Sequence, residues 1–197
     1  SGNVSGALEK YLKEKPLDPN VRMLWGGEIK RQKESMGALG TAMLVGLCLV
    51  YLILVALYDN FIYPFVVLFS ILVALVGAIL ALNLSASNMG VFTMLGMLML
   101  LGLVAKNAIL IVDFANQLKE KGMNTYDALL ESVRERMRPI LMTTIAMVIG
   151  MIPIATATGS GAEWKNGLAW VLIGGLTSSM FLTIIVVPMM YYIVDKL

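Results

Sequence analysis

The chain has 197 residues, of which 58% are hydrophobic and 14% charged, with a net charge of +2 and a mean hydropathy of +0.81. That balance lies outside soluble globular domains and places the protein in a bilayer, and so small a charge gives no basis for nucleic-acid binding. The absence of histidine and a single cysteine, Cys48, inside an apolar run exclude His-based triads, Cys/His zinc sites and a disulfide framework. No enzyme, metal or cofactor is expected.

The chain opens with "SGNVSGALEKYLKEKPLDPNVRMLWGGE". There Val4, Leu8, Tyr11 and Leu12 fall at helical spacing and "VRMLW" has strand character. One helix and one strand cannot bury a core, so residues 1–37 read as the end of an α/β domain whose other strands lie elsewhere. The missing initiator methionine and the lack of a signal-peptide pattern agree with a piece of a longer polypeptide. No internal repeat with a period of about 20 to 50 residues occurs.

Residues 38–197 then hold five apolar segments, roughly 39–57, 63–82, 89–115, 140–157 and 168–194. Each approaches or exceeds the about 20 residues needed to cross a bilayer. Pro64 follows "YDNFIY" in the opening turn of the second segment, where a missing N–H costs little. "NLSASNMG" and "TATGSGAEWKNG" make the other tight links. Between the third and fourth segments, Ala128, Leu129 and Val133 mark a short amphipathic helix over about 124–137, lying at the membrane surface. The expected fold class is an all-α membrane protein, a bundle of five transmembrane helices with a short α/β remnant at its N-terminus.

Basic residues in short loops set the orientation. The third-to-fourth connection carries Lys119, Lys121, Arg134, Arg136 and Arg138, whereas the fourth has only Lys165 and the first two have none. It is therefore expected in the cytoplasm with the C-terminus, leaving the N-terminal segment outside. The seven basic residues of that segment (Lys10, Lys13, Lys15, Arg22, Lys30, Arg31, Lys33) oppose this placement unless they close a large exported domain, which escapes the rule.

One feature of these spans is chemical. Lys106 follows sixteen uncharged residues, Gly90 to Ala105, and "AILIV" follows Asn107 before Asp113 arrives. A lysine near the bilayer centre costs about 2.5–3.5 kcal/mol on insertion scales, so it faces protein and pairs with an acid. Asp113 shares its face but stands about 10 Å along the axis at 1.5 Å per residue, too far for a direct pair. Asp59, Glu163 and Asp195 sit at span ends. Either Lys106 bonds carbonyls of a neighbouring helix, or it couples ions or protons through a carboxylate outside this chain. Asn107 adds hydrogen-bonding capacity or plain interhelical glue.

"GLVAKNAILIVDFANQ", followed by "RERMRPILMTT" and "GMIPIATATGSGAEWKNGLAWVLIGGL", closely resembles the resistance-nodulation-division family of proton-driven efflux pumps, in its hydrophobe/amphiphile branch. The likeness covers almost the whole chain and corresponds to the last five of twelve transmembrane helices, with residues 1–37 matching the end of the periplasmic porter domain. It implies that Lys106 engages a fourth-helix aspartate pair, absent here, while Thr143 and Arg136 complete a proton relay flanked by Asn107. Asp113 is a possible secondary member. It also implies a bacterial, Gram-negative inner-membrane location. The same likeness implies a homotrimer with a periplasmic adaptor and an outer-membrane channel, and amphiphilic substrates bound in the porter domain. The fragment is not expected to transport alone.

Plainer readings stand beside these. Thr143 can bond the carbonyl one turn back. Arg134, Arg136 and Arg138, with Glu131 and Glu135 interleaved, can anchor the span at the surface. Asp113 can be a helix-end acid, and the fifteen methionines, spread over every span, read as packing. A heavy-metal exporter of the same family would be expected to depart from Lys106–Asn107, and the remaining alternative is a free-standing channel or structural subunit. A channel would need a polar face recurring along several helices, yet apart from Lys106, Asn107 and the threonines these spans are nearly dry.

Overall fold

The computed structural model describes residues 10–11, 27–58, 61–85, 87, 89–159 and 161–195. They form α1 (Glu28–Tyr58), α2 (Tyr63–Leu84), α3 (Val91–Glu120), α4 (Thr125–Ala155) and α5 (Ala162–Asp195), with no strand among the described residues. All five helices are long and apolar enough to cross a membrane. The N-terminal helix and strand expected before Gly26 lie outside the described residues, except for Lys10 and Tyr11, which are helical.

Local chemistry explains the helix ends. Pro64 opens α2, and the Ser85 N–H closes it on the Ala81 carbonyl. At the end of α3 the Gly122 N–H bonds the Lys119 carbonyl at 2.9 Å and the Met123 N–H bonds Leu118 at 3.2 Å. Gly122 takes φ +90°, the left-handed residue this paired-carbonyl stop requires. Asp127 in the first turn of α4 suits the positive end of the helix dipole.

Two boundaries differ from the sequence reading. α1 starts at Glu28, about three turns before the expected edge at residue 38, because "KRQKES" is good helix-forming sequence that needs no apolar environment. Likewise the surface helix over 124–137 and the fourth span are not separate: α4 runs unbroken through Pro139. The reason is a continuous packed stripe, Leu129, Ser132, Arg136, Ile140 and Thr144, at steps of three and four residues. Pro139 sits off that stripe with its ring exposed, so the helix loses a single backbone donor and keeps its contacts.

In the packing, α3 touches all four other helices and α5 touches α2, α3 and α4. Among the described residues α1 meets only α2 and α3, and α4 meets only α3 and α5. Around α3 the order is therefore α1, α2, α5, α4, and the ring stays open because α1 and α4 do not touch among the described residues. The tightest seam joins α2 to α5, where Gly77 and Ala81 oppose Gly174 and Ser178. A Cβ at Gly77 would stand 1.8 Å from Ser178 Oγ, so only small residues allow the backbones this close.

Two apolar cores stack along the bundle. One, near the α3–α4 connection and here called the basic end, includes Val66, Val67, Ala108, Ile111, Ile140 and Val187. The other, toward the far end, includes Ile71, Ala74, Leu101, Ala105, Leu172 and Leu176. At the basic end Tyr191 is fully buried, stacks on Tyr63 (centroids 4.7 Å apart, planes 7° apart) and donates its hydroxyl proton to Asn116 Oδ1. These contacts tie α2, α3 and α5 together, while the Tyr58 hydroxyl reaches the Ile109 carbonyl at 3.4 Å and brings in α1.

Candidate functional site

The open side of α3 is a stripe of Met99, Gly102, Lys106, Asp113 and Gln117, residues that fall within about 60° of one another at 3.6 residues per turn. Lys106 is exposed on that stripe although its neighbours Val104, Ala105, Asn107 and Ala108 are all buried. It thus points into the gap between α1 and α4. No acid is bonded to it among the described residues. Asp113 instead accepts a hydrogen bond from Gln117 Nε2 at 2.9 Å, one turn further along.

Asn107 is adjacent in sequence but only 5% exposed, because one residue is a 100° step that carries it onto the packed face. The lysine and the asparagine therefore look in different directions. Thr143 on α4 is exposed, and its hydroxyl lies 3.0 Å from the Pro139 carbonyl and 3.2 Å from that of Ile140. Its proton is thus held by its own helix, and its oxygen keeps a lone pair facing outward. Thr143 lies between Ile140 of the basic-end core and Met147 beside the far-end core, the same bracket that holds Lys106 between Ala108 and Ala105.

Arg136 is elsewhere, two turns nearer the basic end, at about 10 Å from Thr143 along the axis. Its guanidinium lies 4.6 Å from the centroid of the Phe114 ring on α3, a cation–π contact that fixes it across the α3–α4 joint. Its buried Nε has no hydrogen-bond partner among the described residues. Lys106 and Thr143 are thus level on neighbouring helices, whereas Arg136 and Asp113 form a second station below them. Sequence reasoning missed Phe114, and nothing in "VDFANQ" singles it out, because its role depends on which arginine packs across it.

A hollow of about 380 Å³ at the far end is lined by Phe92, Gly159, Gly161, Trp164 and Lys165, at the α4–α5 connection and away from Lys106.

The family model described as AcrB/AcrD/AcrF matches residues 1–195. The chain belongs to the AcrB/AcrD/AcrF family of resistance-nodulation-division efflux transporters. It is 38% identical to the swarming motility protein SwrC of Bacillus subtilis, across 98% of this chain and 18% of that protein. It is 34% identical to the toluene efflux pump membrane transporter TtgB of Pseudomonas putida, across 100% of this chain and 19% of that protein. A crystal structure of a heavy metal efflux pump superposes with a TM-score of 0.84 at 28% identity, covering 98% of this chain and 20% of that one. The chain spans about a fifth of the length of these relatives. Members of the family are transporters and not enzymes, and the five apolar helices make this chain part of a multi-pass membrane protein.

Proposed function

We propose that this chain is the membrane segment of a proton-driven exporter of amphiphilic small molecules and carries the cationic half of its proton relay. The observation that carries the reading is Lys106, a mid-span ammonium on the open side of α3 with no acid bonded to it among the described residues. In a bilayer that position is too costly to face lipid. A further membrane helix bearing carboxylates therefore fills the gap between α1 and α4. While those carboxylates are charged they hold Lys106. A proton taken up from outside cancels one charge, and the ammonium turns toward the outward lone pair of Thr143, level with it on α4. The change of partner shifts α3 against its neighbours, a local charge event read out by a two-state packing. Arg136, held on Phe114, supplies a second fixed cation at the basic end. Asn107, on the packed face, sets the rotation of α3.

In this reading the α3–α4 connection is cytoplasmic, residues 1–37 close a periplasmic porter domain, and the whole protein is a trimer in the inner membrane working with an adaptor and an outer-membrane channel. The substrates named for relatives, toluene for one and heavy metals for another, define two classes to compare. Expression of the native-length protein in cells lacking their own exporters is expected to lower accumulation of an amphiphilic fluorescent dye, and a protonophore to restore it. Unchanged dye levels together with gained resistance to metal ions would replace amphiphiles by metals. Export that persists with the protonophore would remove proton coupling.

A further inference from the structure

Ser70, Asn107, Thr144, Ser179 and Thr183 are five of the seven buried polar side chains described. They share one level of the bundle, between the two apolar cores. On α2, Ser70 separates Val67 from Ile71; on α3, Asn107 separates Ala105 from Ala108. On α4, Thr144 separates Ile140 from Met147, and on α5 Ser179 and Thr183 separate Leu176 from Val187. The two serines are satisfied within their own helices, Ser70 on the Val67 carbonyl at 2.7 Å and Ser179 on that of Leu176 at 3.3 Å. Thr144 and Thr183 are not. Each is 1% exposed, and neither hydroxyl oxygen has a hydrogen-bond partner among the described residues.

A threonine in a membrane helix ordinarily returns its hydroxyl to the carbonyl one turn back, as Thr143 and Thr177 do here. Two that fail to do so, at one level of three mutually packed helices, keep the full desolvation cost of a buried hydroxyl unless something else bonds them. Among the described residues α4 packs only on α3 and α5, so the buried Thr144 faces the α3–α5 contact, where Asn107 and Thr183 are also buried. The occupant must donate and accept, carry no charge and fit between packed helices. Water has those properties and bridges such groups in folded proteins.

We infer that internal water is bound between α3, α4 and α5, held by the Thr144 and Thr183 hydroxyls with the Asn107 amide at the same level. This assignment stands whether or not the protein exports amphiphiles. Its consequence is a wet seam at the depth of Lys106, where hydrogen bonds between helices exchange through water instead of breaking against dry apolar surface.

The test is the sign of a shape-preserving substitution in the native-length protein. With bound water, Thr144→Val and Thr183→Val each remove a ligand and lower the thermal midpoint by about 1 °C. The double variant then loses little more than the worse single, because both act on one water. If the hydroxyls are dry, each valine removes an unpaired polar group and the midpoint rises. A midpoint that is unchanged or higher, or losses that simply add, overturns the site. Radiolytic hydroxyl labelling of Met180, 8% exposed and set between Ser179 and Thr183, reads the same water without unfolding. Labelling is expected to fall severalfold in the valine pair and to persist in Thr144→Ser with Thr183→Ser, and equal labelling in all three proteins contradicts the inference.

Discussion

Lys106→Met is expected to cut energy-coupled export by at least about tenfold, equivalent to about 1.4 kcal/mol of lost coupling, while the protein stays in the membrane at wild-type abundance. Methionine matches the lysine stem in length and flexibility, so the packing of α3 against α2, α4 and α5 is untouched; Lys106 lies off those contacts. What disappears is the cation. Removing one member of a buried ion pair costs about 3–5 kcal/mol if the partner stays charged. A carboxylate has another course, since it takes up a proton and becomes neutral. The variant therefore survives as folded protein but is locked in the arrangement that proton uptake normally produces. Lys106→Arg keeps the charge in a planar fork that cannot swing between partners as an ammonium does, so export is expected to be reduced but measurable. Dye efflux at expression matched by immunoblot checks both, and wild-type export by the methionine variant would take Lys106 out of the coupling.

Leucine at Gly174 is the second large effect, and it acts on the fold. A Cβ there stands 2.1 Å from Ala81 Cβ and 2.9 Å from the Gly77 carbonyl oxygen, so backbone has to move and not merely a side chain. Overpacking of this kind costs about 1–3 kcal/mol, more when two helices must part. The α2–α5 seam has no alternative contact to offer, because both backbones are already as close as their glycines permit. Gly46 on α1 is the control, with nothing among the described residues within 4 Å of a Cβ at that position. Gly174→Leu is expected to lower the detergent-solubilised thermal midpoint by about 4 °C or more relative to Gly46→Leu. Equal midpoints would mean that the seam does not set the helix spacing.

Sequence reading reached some of this and stopped for physical reasons. The five spans are legible because hydropathy alone separates them, and the oddity of Lys106 is legible because a charge in "GLVAKNAILIV" has no cheap place to go. The local bond of Thr143 follows from its residue type and its helix. Pro139 misleads as a helix start, since a proline reads as punctuation until the packed stripe on either side of it is known. That Asn107 turns inward while Lys106 turns outward needs only the 100° step, but which of the two faces the bundle depends on where α5 and α4 lie. Contacts such as Arg136 on Phe114, or Tyr191 on Tyr63 and Asn116, join segments far apart in the chain and leave no local pattern. The unpaired hydroxyls of Thr144 and Thr183 are likewise invisible until three helices are placed together.

In the native protein the open side of α3, with Lys106 on it, is predicted to be covered by an acid-bearing membrane helix from outside residues 1–197. A photo-crosslinking phenylalanine analogue at position 102, one turn from Lys106 on the same exposed stripe, probes that cover. Irradiation of the native-length protein in membranes, followed by mass spectrometry, is predicted to give an intramolecular crosslink to an apolar peptide that contains aspartate or glutamate. Crosslinks to lipid alone, or only to α1 and α4, would show that nothing occupies the gap, and Lys106 would need a different partner.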